Sequence, residues 1–157
     1  MAYQVESREL TPELLASVIV ECPMADLPRV MPESFGRVWE VITAQGVRPT
    51  GGAVALYHKY GEDSVRVEIG FTVATEIRAD QGVSPSRLPG GLVLTTAHVG
   101  RYEEIGPAYQ AIQVHAANSG LVLTESMWEV YLTDPVVEPD LSKHVTEIYW
   151  PVKVLRE

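Results

Sequence analysis

Cysteine is almost missing from this chain: Cys22 is the only one among 157 residues. That excludes an internal disulfide framework and every cysteine-based zinc spacing. It suits a reducing cytoplasm, the expected location. Basic residues are also short, with 12 Lys and Arg against 21 Asp and Glu, a net charge of −9. The deficit is spread out: residues 1–80 hold 12 acidic and 7 basic groups, and residues 81–157 hold 9 and 5. Neither half offers a basic patch to neutralise phosphates, so direct nucleic-acid binding is not expected, nor is an anionic membrane surface. Cationic ligands, by contrast, are drawn in by such a field.

Long hydrophobic runs are lacking as well. The most apolar stretch, Leu14 to Val20, falls far short of the roughly 20 residues of a membrane span. The opening Met1-Ala2-Tyr3-Gln4 has neither the positive region nor the apolar stretch of a signal peptide. His58, His98, His115 and His144 are scattered, with no HxH or HxxxH pair, so no metal site is expected. His98, before Gly100 at a strand end, reads as a hydrogen-bonded structural residue. There is no G-x-S-x-G elbow, and Gly51-Gly52 and Gly90-Gly91 precede strands without a Walker lysine. No cofactor is implied. Cys22, inside an apolar strand, reads as inert core.

What the chain does have is a core-forming composition and a repeat. Hydrophobic residues make up 46% and charged residues 21%, which rules out wholesale disorder. At this length folding buries roughly 70% of the chain's surface, so no staple is needed. Gly46 and Gly120, each closing a helical pattern, stand 74 residues apart, and that offset brings the halves into register. Leu14 falls on Leu88, Phe35 on Tyr109, Val38 on Ile112, Thr50 on Thr124 and Tyr57 on Tyr131; beyond a longer loop, Glu68 falls on Glu147.

Each copy reads as strand, helix, strand, strand. In copy one these are Leu14 to Cys22, Glu33 to Gln45 with Pro32 near the first turn, Ala53 to Tyr60, and Val65 to Val73. In copy two they are Gly91 to Val99, a helix marked by Ile105, Tyr109, Ile112 and Ala116, Met127 to Thr133, and Val145 to Val152. Tyr3 to Leu10 adds a leading strand. The prediction is a single α+β domain over 1–157, with repeat one at about 3–78, a linker at about 79–89 and repeat two at about 90–155. Its antiparallel sheet carries the helices on one face, with pseudo-twofold symmetry and a pocket at the seam.

Strand alternation sorts the late residues. Trp128, Val130 and Leu132 point one way, expected towards the helix, and Glu129 and Tyr131 point the other. Glu147 and Tyr149 share a face, with Ile148 and Trp150 opposite. Copy one has Ala55 and Tyr57, then Glu68 and Gly70, at the matching places. The expectation is a cluster of two carboxylates and up to three tyrosines, suited to a flat or cationic guest. Taken alone, Glu129 and Glu147 also suit an open sheet face, and Trp128 a plain core position.

Three stretches carry a family resemblance: His98-Val99-Gly100-Arg101-Tyr102-Glu103-Glu104-Ile105, Trp128-Glu129-Val130-Tyr131-Leu132-Thr133-Asp134-Pro135 and Thr146-Glu147-Ile148-Tyr149-Trp150-Pro151-Val152. Together they resemble the GyrI-like small-molecule-binding family, which includes effector-binding domains of multidrug-sensing bacterial regulators. The resemblance implies a pocket for bulky aromatic, often cationic compounds, lined by Glu129, Tyr131, Glu147 and Tyr149; Tyr57, Trp128 and Trp150 complete the expected ligand set. Those regulators carry a DNA-binding module ahead of this domain, so a transcriptional role is expected here only if a partner supplies one. Trp128-Glu129-Val130-Tyr131 is also similar to the W-E-x-Y signature of a branch that hydrolyses cyclopropane-bearing DNA-alkylating natural products. That likeness implies Glu129, Glu147 and Tyr131 as catalytic residues. The family's gyrase-inhibiting namesake adds a third option, a protein-interaction module, although the diffuse charge offers no long acidic run.

Overall fold

The computed structural model describes residues 3–61, 63–134 and 136–154. The chain divides into two compact units. One runs from Thr11 to Gly90; the other joins the segment up to Leu10 with the chain from Gly91 onward. Both are α+β, and the strand pairs described within each are antiparallel.

In the Thr11–Gly90 unit, β2 (Glu13–Pro23) is followed by α1 (Leu27–Ala44), β3 (Pro49–Tyr60), β4 (Ser64–Val73) and β5 (Ser84–Leu88), in sheet order β3-β4-β2-β5. The helix forms because Val30, Ser34, Val38, Val41 and Ile42 recur on one buried face, which packs on β4 and β2. It starts at Leu27, six residues before the predicted Glu33. Proline in a first turn is a start signal, but Pro28 supplies that signal here and Pro32 lies inside the helix. Pro32 sacrifices one helical hydrogen bond, at a cost of about 3 kcal/mol. Burying Val30 on the continued helix returns roughly 1.5–3 kcal/mol.

In the other unit, β1 (Glu6–Leu10), β6 (Gly91–Val99), α2 (Gly106–Asn118), β7 (Leu121–Leu123), β8 (Met127–Tyr131) and β9 (Val145–Val154) follow in turn. The order is β1-β6-β9-β8, with β7 also beside β9. Leu94, Ile105, Ala108, Ile112, Ala116 and Ile148 form the core between α2 and its sheet. Both helices end in left-handed glycines, Gly46 at φ 67° and Gly120 at φ 68°. The glycine marks of the repeat are therefore helix ends that a side chain would strain.

Two sequence boundaries need correction. The predicted linker at 79–89 contains β5, which pairs with β2. The lead strands are also exchanged: β1 precedes β2 in sequence but pairs with β6, and β5 precedes β6 but pairs with β2. A repeat one spanning 3–78 therefore does not coincide with a compact unit. Hydrophobic periodicity identifies a strand but not its neighbour, and that is why the exchange was invisible. The strand expected over Met127 to Thr133 ends at Tyr131, where Thr133 Oγ1 accepts the Val145 N–H at 3.0 Å in place of a ladder bond. The three-residue β7 was not foreseen.

Candidate functional site

The site grows from β8, whose neighbour is β9. The register sets Trp128 opposite Tyr149, Glu129 opposite Ile148 and Val130 opposite Glu147. Residues directly opposite share a face. Glu129 therefore lies with Ile148, on the face covered by α2, and not with Glu147 and Tyr149. The expectation that Trp128 and Val130 face the helix while Glu129 and Tyr131 turn away is reversed. Alternation separates two faces but does not say which one meets the helix. The helix side is not wholly apolar, because tyrosine hydroxyls make it locally polar.

Glu129 is 1% exposed and receives three phenol donors. Tyr102 donates to Oε1 at 2.8 Å, Tyr131 donates to Oε1 at 2.5 Å, and Tyr109 donates to Oε2. Tyr109 comes from the first turn of α2 and Tyr131 from β8, whereas Tyr102 comes from the 3₁₀ turn Tyr102–Glu104. The Tyr109 hydroxyl also lies 3.5 Å from Met127 Sδ, and its ring meets Trp150 edge-on with centroids 6.0 Å apart. Trp150 is fixed by Nε1, which donates to the Thr124 carbonyl at 2.7 Å. Burial pushes the Glu129 carboxyl above its ordinary range, and the bonds from Tyr109, Tyr131 and Tyr102 offset only part of that push. All of these described partners are neutral phenols.

On the opposite face, Trp128 stacks on Tyr149 with centroids 5.6 Å apart and planes 12° from parallel. The Tyr149 hydroxyl donates to Glu147 Oε1 at 2.7 Å. Burial, then this bond and the Glu147 charge, push the phenol up to about 12. The predicted residues thus fall into two groups, Glu129, Tyr131 and Trp150 on the α2 side, and Trp128, Glu147 and Tyr149 on the other. Tyr57 lies in the other unit, buried and edge-on to Tyr60.

That other unit holds a second buried carboxylate. Glu68 Oε2 accepts from Ser17 Oγ at 2.6 Å, and Oε1 lies 2.8 Å from His58 Nε2. His58 reaches it from a bulge, where the register skips between Tyr57 and Lys59. Burial pushes Glu68 up, but bonds from Ser17, Ser86 and His58 and the His58 charge outweigh it and leave the carboxyl lowered.

Tyr102 and Tyr109 were missed as site residues. A signal existed, because Tyr109 aligns with Phe35 and Glu129 with Ala55 at the 74-residue offset. A hydroxyl and a carboxylate appear together where the other copy has hydrocarbon, and a buried hydroxyl needs a partner. His98 has the structural role expected of it, with Nδ1 accepting from Tyr3 Oη and Nε2 donating to the Arg101 carbonyl, each at 2.8 Å. An open groove of about 470 Å³ lies between Tyr3 and Val5 and the Pro107, Ala111 and Val114 side of α2, but none of the predicted site residues lines it. Its lining includes His115 but no carboxylate. Among the described residues no His, Cys, Asp and Glu cluster could hold a metal ion, and no helix is long and apolar enough to cross a membrane.

Comparison with known proteins agrees with this layout. The model of the GyrI-like small molecule binding domain matches residues 3–153. The EcmrR C-terminal domain superposes with a TM-score of 0.86 at 22% identity, covering 99% of this chain and all of that one. EcmrR in its DNA complex gives 0.85 at 24% identity, covering 99% of this chain, and there this chain spans 59% of the relative's length. A hydrolase from Listeria innocua gives 0.68 at 11% identity, covering 97% and 93% of the two chains. SAV2435 bound to tetraphenylphosphonium gives 0.62 at 13%, covering 98% and 94%. No curated relative matches the chain by sequence.

Proposed function

This chain belongs to the GyrI-like small-molecule-binding family, and from that premise we propose that it captures bulky aromatic cations at Glu129 and protects the cytoplasm by sequestering them. One observation carries the reading: a carboxylate 1% exposed whose described partners are three phenols and no cation. A buried charge without a counter-charge is costly, and a ligand that brings one recovers part of that cost. The phenol rings and Trp150 add faces for an aromatic cation. The binding of tetraphenylphosphonium by SAV2435, on the same fold, points the same way. The acidic balance favours encounter.

The test is titration with tetraphenylphosphonium and with neutral triphenylphosphine oxide, followed by isothermal calorimetry. Glu129→Gln is expected to weaken the cation by about 1.5–3 kcal/mol, roughly 10- to 150-fold, and to leave the neutral compound almost unchanged. Equal affinity of wild type and variant for both compounds would remove Glu129 as the anchor.

The raised carboxyl also favours a second reading, hydrolysis of activated cyclopropanes. Glu129 would take the proton of the attacking water, and a tyrosine hydroxyl would protonate the carbonyl oxygen as charge develops. Incubation with a cyclopropane-bearing alkylator and mass spectrometry decides it: a gain of one water that disappears in Glu129→Gln supports catalysis, and unchanged drug eliminates it.

A further inference from the structure

The unit that holds Glu129 ends on an open strand edge. β1 stands last in the order β1-β6-β9-β8, with β6 on one side and, among the described residues, no strand on the other. Glu6, Ser7, Arg8 and Glu9 are all exposed. The N–H and C=O groups of such an edge are a template for a further strand. In the other unit the last strand, β5, contains Pro85, which removes a donor; β1 contains no proline. Ser7 lies opposite Leu94, a core residue beneath α2, so Glu6 and Arg8 occupy the face away from that helix. There they pair with each other at 2.9 Å, both about half exposed.

The charges select an occupant. A second copy related by a two-fold axis pairs with this edge antiparallel, β1 on β1. The axis keeps every side chain on its own face, so a residue meets either itself or one an even number of places away. Centring the pairing on Glu6, Arg8 or Glu9 sets a like charge against itself. Centring it on Ser7 sets Glu6 against the second copy's Arg8, and Arg8 against the second copy's Glu6. That register uses the whole edge from Gln4 to Leu10. We propose that β1 is a self-pairing edge, through which two copies of this chain join their sheets about a two-fold axis at Ser7. On the α2 face, Val5 then meets the stem of the second copy's Glu9. The groove between Val5 and the half-exposed Val114 of α2 gains a wall from the second copy.

Sedimentation equilibrium tests the edge. The wild-type mass should rise from one chain towards two as concentration increases. Arg8→Glu and Glu6→Arg each set like charges across the axis and should weaken pairing roughly tenfold, with circular dichroism as the check on folding. One substitution raises the net negative charge and the other lowers it, so a loss in both is not a net-charge effect. Mixed in equal amounts, the two variants should pair with each other as the wild type does with itself. The double exchange, Glu6→Arg with Arg8→Glu, should restore self-pairing. In a Cys22→Ser background, Ser7→Cys should oxidise to a linked dimer and Glu9→Cys should not. A wild type that stays monomeric up to about 1 mM overturns the proposal. So does a dimer that Arg8→Glu leaves intact, or a mixture of the two single variants that stays monomeric.

Discussion

Phe35 meets Phe71 in one unit with centroids 5.7 Å apart and planes at 60°; Tyr109 meets Trp150 in the other at 6.0 Å and 75°. Phe35 and Tyr109 are repeat partners, and Phe71 and Trp150 are separated by the same 79 residues as Glu68 and Glu147. Between helix and sheet the two units therefore keep one edge-on aromatic contact. Around it they diverge. Ala55 is fully buried in one, and its counterpart Glu129 carries a carboxylate in the other. The hydrocarbon version needs only packing. The polar version has to satisfy every acceptor it buries, and it does so with hydroxyls spaced along the chain at Tyr102, Tyr109 and Tyr131. A duplicated scaffold thus carries hydrocarbon in one copy and a hydrogen-bonded carboxylate in the other at one position.

The largest effect should come from forcing the two to match. Ala55→Glu places a carboxylate at a fully buried position opposite Ile69, and it is expected to cost about 3–5 kcal/mol or to prevent folding. Adding Phe35→Tyr supplies one hydroxyl and should return part of the loss, measured by urea denaturation. Full stability in the single variant would mean that the two environments do not differ as described. In the opposite direction, Tyr109→Phe makes the unit holding Glu129 resemble its partner and leaves Glu129 one donor short, a loss of about 1.5–3 kcal/mol.

The two buried glutamates sharpen the comparison through pH. Glu68 is lowered on folding, so its contribution is present above the unfolded carboxylate value and is lost as pH falls through the folded one. Glu129 is raised, so its contribution is fully present below the unfolded value and is lost as pH rises through the folded one. Between pH 4 and 8, wild type should gain on Glu68→Gln and lose ground to Glu129→Gln as pH rises. Slopes of the same sign would refute the assignment of one of them. The smallest expected effect is the one the units should share: Gly46→Ala and Gly120→Ala each force a left-handed alanine, at about 1–2 kcal/mol, and should lower the denaturation midpoint almost equally.

Much of this was legible in the sequence. Gly46 and Gly120 announced the helix ends and so the repeat, and the period-two patterns located β2, β3, β4, β6, β8 and β9. Glu129 and Tyr131 stand out in the sequence because a family-like motif and strand alternation agree on them. The face they occupy was not found, since alternation is blind to which side a helix covers. Tyr102 escaped because a 3₁₀ turn has too few residues for a periodic signal, and Tyr109 because an aromatic at helical spacing reads first as core. Glu147 and Tyr149 were grouped with Glu129 by shared chemistry, and only the register of β8 against β9 separates them.

The exchanged lead strands impose an order in time. β1 is synthesised first, but its partner β6 does not exist until Gly91 and the residues after it have been made; Leu10 pairs with Gly91, and Glu6 with Thr95. At a synthesis rate of about 5–20 residues per second, the first strand waits roughly 4–18 seconds while β2, α1, β3, β4 and β5 emerge in an unbroken run. The middle of the chain can complete its unit during translation, whereas the unit holding Glu129 must close a loop of some eighty residues before its sheet is whole. The half that buries Glu129 among hydroxyls is then the last to assemble, on a chain whose plainer half is already folded.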